Sequence, residues 1–596
     1  MSNEHLILCG SAKLSSRKKV WREAKTVLLE LDKRRSTCNV NLRISDITRP
    51  LAANLTDFEL DLLAIATYVY CADQAVRRGG MKQIDYGRSW FRTFRFEVPV
   101  RAPDFWSSPE ILEELCRVLN DLSGDNFEFA FCHLTNPSPL ETHFEFGEEA
   151  IADIEEVVLF SGGLDSFGGA VREALCLNRK VALVSHRPVS KIGSRQRQLV
   201  ADIAERVADP AKRPVHVPVL VNKAKELGKD YTQRTRSFLY AAIAAVVARL
   251  FRLKRIRFYE NGVTGLNLPI SPQVVSTRAT RTTHPMVLSG YTRLFSRIYP
   301  DGFGIDNPFF WKTKAEILRE IKTAGHSRLC AFTSSCAHIW ERTLMHPHCG
   351  KCSQCVERRL VALAAEYADE EDPPEMYELN VLTDGVDGVD RILAESYLET
   401  INRIQRAETA TQFCVAFPEI GRVINHIDGP ADEVAQAVYD LYRRHASQIG
   451  DALDAEGRAV ISKLRLGELP PNCLLAIAYS GGRKLPEEPA PKAEEAAATA
   501  GADGLVIDEL TFSVRWQGRD PVEIGNKKEF RLLQELAKSV GQYIGFADLA
   551  ERLGGNAMDK VTHIKSRLVK ILQDNGYKDL AERIRTQKEH YGLFLS

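Results

Sequence analysis

Neither sign of charge is in surplus in this sequence. Its 596 residues carry 79 Lys plus Arg against 79 Asp plus Glu, which excludes a global attraction to nucleic acid or acidic lipid and leaves only local patches for such contacts. Long apolar runs are missing as well. MSNEHLILCG at the N-terminus has too short an apolar stretch for a signal peptide, and residues 238–248 are too few and too rich in alanine to span a bilayer. We therefore expect a soluble cytoplasmic protein that does not contact a membrane. No G-x4-G-K followed by Ser or Thr occurs, so a Walker-type phosphate loop is excluded. The region before residue 150 has neither metal-ligand spacing nor a glycine fingerprint.

What is present is length enough for three or four domains and 13 cysteines. With no export signal these read as reduced thiols and metal ligands, not as a disulfide framework.

One stretch stands out first. Val157 to Phe160 read as a short buried strand, Phe167 to Leu177 as a helix, and SGGLDS joins them. A tight loop running into a helix N-terminus exposes backbone N–H groups and the positive end of the helix dipole, which makes an anion site. Gly162 and Gly163 allow close approach, Ser161 and Ser166 offer hydroxyl donors, and Leu164 completes the candidate nucleotide-binding loop. Asp165 would repel a phosphate unless a cation such as Mg²⁺ lay between them. The alternative is an ordinary N-capped helix, with Asp165 or Ser166 as the cap and no ligand.

The second stretch is TSSCAHIWERTLMHPHCGKCSQCVERR. Cys349, Cys352 and Cys355 are spaced so that thiolates converge from a tight turn, and Cys336 completes a four-cysteine zinc site. His346 and His348 are alternative ligands, an iron–sulfur cluster is the minority reading, and scattered structural thiols are the plain one. Four protein ligands would close the site and make the metal structural.

SGGxDS after a hydrophobic strand resembles the PP-loop of ATP pyrophosphatases. Together with the downstream C…CGxCxxCxxR it is similar to the QueC family, the 7-cyano-7-deazaguanine synthases, over roughly residues 155–380. Arg358 matches the CxxR ending; Thr313, Lys314 and Glu316 fall on the family's T-K-x-E-I stretch. Arg234, Arg236 and Phe238 occupy an R-N-x-x-F helix start in which Ser237 replaces asparagine. Arg195 and Gln196 align with a Y-G-Q-R segment, although His186 and Arg187 stand near that strand's end. A basic loop with Arg278, Arg281 and His284 replaces the family's substrate loop. TRTTHP, FRFEVPVRAPDFW and LSGDNFEFAF resemble elongated QueC-like proteins of bacterial anti-phage operons of the Qat and type IV CBASS kinds.

The resemblance implies an α/β, Rossmann-like PP-loop core of the adenine nucleotide alpha-hydrolase type over residues 151–380, with ATP, Mg²⁺ and Zn²⁺ as cofactors. It implies an ATP-dependent ligase that adenylates 7-carboxy-7-deazaguanine and passes it to a nitrogen nucleophile, expected on a partner protein of the same operon. Asp165, Lys314 and Arg234 would be catalytic, and Arg195, Gln196, Arg278, Arg281, His284 and Arg358 would face the substrate. The rival readings are a plain synthase making the nitrile from ammonia, a different PP-loop chemistry such as thiolation, and a nucleotide-sensing regulator.

Around that core we expect an N-terminal α+β domain (1–150) with an amphipathic helix from Pro109 to Leu122, and an all-α extension (381–484). A Pro/Ala/Glu-rich linker (485–504) leads to a winged helix (505–596) resembling OmpR-type effector domains. Lys560, His563, Lys565, Arg567 and Lys570 form either a DNA-contacting helix face or an ordinary solvated one.

Overall fold

A computed structural model of the chain describes residues 4–16, 19–47, 54–78, 91–137, 153–187, 190–230, 233–268, 281–338, 342–343, 345–479, 499–501, 504–508, 513–517, 519–524, 528–553 and 558–595. The chain forms two compact units. The first comprises residues 1–78 and 87–482, and the described part of the second begins at Thr499.

The first unit holds two parallel sheets. Strands β1 (Glu4–Cys9), β2 (Lys25–Leu29), β3 (Thr93–Val100) and β4 (Asn126–His133) lie in the order β2-β1-β3-β4, every pair parallel. Helix α1 (Asp57–Ala75) and helix α2 (Pro109–Ser123) belong to its crossovers. The expected α+β character is thus replaced by α/β, since parallel neighbours need crossover connections. The half-buried strand expected around FRTFRFEVPV is buried at every residue from Phe96 to Val100, as a central strand of a covered parallel sheet should be.

The second sheet contains β5 (Glu156–Leu159), β6 (Val181–His186), β7 (Val215–Val219), β8 (Arg255–Arg257) and β9 (Gly304–Asp306), all parallel in the order β9-β8-β5-β6-β7. Both faces are covered. Val157, Leu159, Ala182 and Val184 pack into one cluster, while Val158, Phe160, Val181 and Leu183 pack into the other. Helices α3 (Leu164–Val171) and α4 (Ser190–Arg206) follow β5 and β6. Helix α5 (Arg236–Leu250) is buried throughout from Ser237 to Ala248, because it lies against β5, β6 and β8 on one side and α1 on the other. Its apolar character reflects that position. Among the described residues no helix is long and apolar enough to cross a membrane.

Helix α6 (Pro285–Ile298) packs on α2. Buried charge also ties the two sheets: Arg92 bonds both Asp73 (2.5 Å) and Asp125 (2.7 Å), and Asp73 accepts from the amide of Thr235 at 3.0 Å, just before α5. Helices α7 (Lys314–Thr323) and α8 (Ser353–Ala364) complete the core. Helix α9 (Gly388–Arg406) and the 29-residue α10 (Ala431–Ala459) belong to an all-α segment that shares its apolar cluster with α3, α7 and α8.

The second unit contains a four-stranded antiparallel sheet from Thr499–Gly501, Leu505–Asp508, Ser513–Trp516 and Val522–Glu523. Helices α11 (Lys528–Lys538), α12 (Phe546–Arg552) and α13 (Met558–Asp574) follow, and a hairpin of Ile584–Gln587 with His590–Leu593 ends it. The expected linker lies outside the described residues up to 498, but Thr499–Gly501 pair with Leu505–Ile507 as a strand.

Candidate functional site

The sheet order creates a switch point. From β5 the chain moves to β6 and β7 on one side and later to β8 and β9 on the other, so the carboxyl ends of β5 and β8 flank a crevice of the kind where open α/β sheets bind ligands. The SGGLDS loop leaves β5 at that edge, and Glu260 and Asn261 leave β8.

Gly162 has φ of +85°, a left-handed conformation that glycine adopts without strain. Gly163 is the N-cap of α3, and no side chain caps the helix, so the alternative in which Asp165 or Ser166 caps it does not hold. The Ser161 and Ser166 hydroxyls lie 3.0 Å apart and serve the loop itself. Ser161 Oγ accepts from the Gly163 amide (3.3 Å), and Ser166 Oγ donates to the Gly163 carbonyl (3.1 Å). The amides of Ser161 and Gly163 are thus spent inside the loop, and the first-turn amides of α3 have no side-chain cap.

Asp165 faces away from the cap. Its Oδ2 accepts from Asn261 Nδ2 (3.2 Å) and lies 3.7 Å from Lys314 Nζ, while its Oδ1 is buried with no partner among the described residues. Burial raises the Asp165 pKa, and the Lys314 charge opposes that. Lys314 sits in the first turn of α7, behind a Thr313/Glu316 capping box, and donates to Glu357 of α8 at 2.7 Å. Burial alone would lower its pKa, but Glu357 and Asp165 outweigh that and hold the ammonium above its ordinary value. Glu260 completes the cluster. Burial, with Asp165 and Glu357 nearby, pushes it up to about 7 despite a hydrogen bond from the Thr283 hydroxyl. Asn307 fixes its backbone through bonds of 2.8 and 3.1 Å.

The four cysteines meet as the spacing predicts. The Sγ atoms of Cys336, Cys349, Cys352 and Cys355 all lie within 4.8 Å of one another, and all four residues are buried. The Cys349 to Cys355 separation is 3.8 Å, the edge of a tetrahedron with zinc–sulfur bonds of about 2.3 Å. The residues therefore fit a metal such as zinc. Gly350, at φ +79°, brings the turn so close to Leu379 that a Cβ would lie 2.1 Å from its carbonyl oxygen. The histidines are not part of the set: His346 Nδ1 meets the Glu375 carbonyl (3.1 Å), and His348 is buried against Tyr377. All 13 cysteines are free.

The remaining expected residues divide into two groups. Near the loop, Gln196 donates to the Ser161 carbonyl (3.1 Å) and Arg195 to Ser334 Oγ (3.2 Å). Arg358 is buried, paired with Asp372 (3.0 Å), and donates to Thr333 Oγ1 and the Cys330 carbonyl, so it braces the segment leading to Cys336. The second group lies by α2. Arg234 donates to the Ser123 carbonyl (2.8 Å), with burial and Arg78 lowering its pKa to about 10. Arg281 donates to the Asp121 carbonyl (2.8 Å), and His284 caps α6 through Met286. Arg278 lies outside the described residues.

Sequence reasoning missed Glu260, Asn261, Ser334 and Glu357. Glu260 and Asn261 had a signal, as polar residues just after the aromatic pair Phe258 and Tyr259 that ends the strand segment. Glu357 had none, because only the packing of α8 on α7 brings it to Lys314. The segment expected as an all-α extension reaches this cluster: Arg444 of α10 bonds Glu316 (2.8 Å), Gln448 accepts from Thr313 (2.7 Å), and His445 is buried near Glu357 and Lys314.

In the second unit Arg567 of α13 pairs with Glu529 (2.7 Å) and Lys565 lies over the Tyr591 ring, whereas His563 and Lys570 are exposed. The Lys560 side chain lies outside the described residues.

Fold and site together define a mixed α/β protein with parallel sheets and a buried four-cysteine centre suited to a metal such as zinc. No family model, curated protein or solved structure matches the chain.

Proposed function

We propose that the protein is an ATP-dependent, carbon–nitrogen bond-forming enzyme of the PP-loop type. The observation that carries this reading is the uncapped N-terminus of α3 at the switch point, beside an Asp165 whose Oδ1 is buried and unsatisfied. Backbone amides there suit the pyrophosphate part of ATP. Asp165 would hold Mg²⁺, which when bound would supply charge neutralisation for the phosphates. Lys314, held between Asp165 and Glu357, adds fixed positive charge where charge grows on the departing pyrophosphate.

The substrate assignment rests on the QueC-like motif pair. The carboxylate of 7-carboxy-7-deazaguanine attacks the α-phosphorus of ATP, the bond to pyrophosphate breaks, and an acyl-adenylate forms. An amine then attacks the acyl carbon, AMP leaves, and the amine loses a proton to give an amide. We propose a partner protein from the same operon as the amine donor, in an anti-phage role, since holding an acceptor beside an acyl-adenylate raises its effective concentration far above that of free ammonia. The four-cysteine centre keeps a structural role. The C-terminal unit serves as a winged-helix module for a macromolecular partner.

The test has two arms. Pyrophosphate release with 7-carboxy-7-deazaguanine should occur with wild type and be abolished in Asp165→Ala, and the intact mass of a co-expressed partner should rise only with wild type. Accumulation of free 7-cyano-7-deazaguanine with no modified partner would replace this reading by the plain synthase. Absence of pyrophosphate release would remove the enzyme reading altogether.

A further inference from the structure

One cavity shares no lining residue with the SGGLDS loop and serves no step proposed above. It has a volume of about 570 Å³ and lies where all four strands of the N-terminal parallel sheet end. Gly10 follows β1, Glu30 to Arg35 follow β2, Arg101 follows β3, and Leu134 to Pro137 follow β4; α1 closes one side with Leu60, Ala64 and Tyr68. The carboxyl edge of a parallel sheet is where open α/β folds bind ligands, and this volume falls within the range of small-molecule sites.

The walls carry two kinds of chemistry. The floor is apolar, formed by leucine, isoleucine and proline side chains with the buried Tyr68 ring. Around it stand five basic side chains, Lys33, Arg34, Arg35, Arg43 and Arg101, with two carboxylates in the lining, Glu30 and Asp32; Arg101 is also held by Asp61 (3.2 Å) and Asp57 (3.5 Å), and Arg43 lies 4.0 Å from Asp46. The loop that brings most of them is ordered in advance. Glu30 accepts from the Asp32 amide at 2.9 Å and pairs with Arg35 at 3.2 Å, and Asp32 holds Arg34 at 2.9 Å. Those arginine side chains are about half exposed, at 51% for Arg34 and 47% for Arg35, and surface pairs of this kind are weak enough for a ligand anion to compete. Gly10, at φ +55°, keeps the end of β1 open: a Cβ there would lie 3.2 Å from Pro99 and 3.5 Å from the Tyr68 hydroxyl.

We propose that this cavity is a second ligand site, which takes a small organic anion no larger than a mononucleotide, its phosphate or carboxylate on the arginine rim and its apolar body on the floor. The site is independent of the activity proposed for the SGGLDS loop.

The probe is 1-anilinonaphthalene-8-sulfonate, an aryl sulfonate of this chemistry, titrated by fluorescence into the full-length protein. Ala64→Phe fills the cavity from α1 and should abolish the enhancement. Arg35→Ala, an exposed change that leaves the fold alone, should weaken binding about tenfold through loss of one charged contact, and Asp165→Ala should leave it unchanged. Displacement by AMP would assign a phosphate ligand, and displacement by octanoate a carboxylate. Undiminished fluorescence in both Ala64→Phe and Arg35→Ala, loss of it in Asp165→Ala, or failure of both competitors to displace the probe would overturn the proposal.

Discussion

The amide of Ser334 donates to the carbonyl of Gly162 across 3.0 Å. Ser334 stands two residues before Cys336, so the four-cysteine centre and the SGGLDS loop share a strut, and Arg358 braces the same segment from beneath. Metal loss should therefore reach the loop. Cys349→Ser should lower zinc content measured by elemental analysis and reduce thermal stability, because structural zinc contributes folding free energy of order 10 kcal/mol in small modules. It should also raise the KM for ATP through the Ser334 contact. Purified wild type without bound metal would contradict this account.

Lys314 is the ammonium that holds the Asp165/Glu357 pair together. Lys314→Gln leaves those carboxylates without their partner in a buried site, and breaking such pairs costs about 3–5 kcal/mol. Urea unfolding of the variant should show a loss of that order together with loss of pyrophosphate release. Unchanged stability would mean that the cluster is more hydrated than its burial indicates.

Glu260 gives stability a pH dependence. Its pKa rises from the usual 4.5 to about 7 on folding, so the native state binds the extra proton between those values, and stability falls as pH rises through that window. The contribution is at most about 3 kcal/mol. Glu260→Gln cannot titrate, and the difference between the two proteins in urea unfolding should grow from pH 4.5 to 7 in favour of the variant and then level off. A constant difference would refute the shifted carboxyl.

Gly169 is packed face-on by Tyr259: a Cβ there would lie 2.1 Å from the ring. Gly169→Ala should push Tyr259 away from Glu173, which it bonds, and lift α3 from the sheet. Overpacking of this kind costs about 1–3 kcal/mol. Thermal unfolding checks the loss, and a raised KM for ATP would report the displaced helix.

Much of the site was legible along the chain because its chemistry is local. Gly162 and Asp165 lie within one six-residue loop, and Cys349, Cys352 and Cys355 within seven residues, so turn geometry and ligand spacing fix their relation before any long-range contact forms. Thr313 and Glu316, marked only as part of the T-K-x-E-I stretch, form the capping box that starts α7 across three residues of separation. Lys314 was marked by the motif, but its partner Glu357, 43 positions away, carried no mark.

What the tertiary structure decided is everything that depends on which elements become neighbours. The parallel arrangement of β1 to β4 turned an expected α+β region into α/β, since alternating apolar residues specify a strand but not the direction of its partner. Arg234 and Arg281 went to the α2 side, and Arg358 beneath the cysteine segment, because burial and backbone acceptors pair a guanidinium equally well wherever packing puts it. The cavity among Gly10, Arg35 and Ala64 left no trace in the sequence for the same reason. Its walls run from Gly10 to Pro137 along the chain, and the void exists only once four parallel strands stop at a common edge.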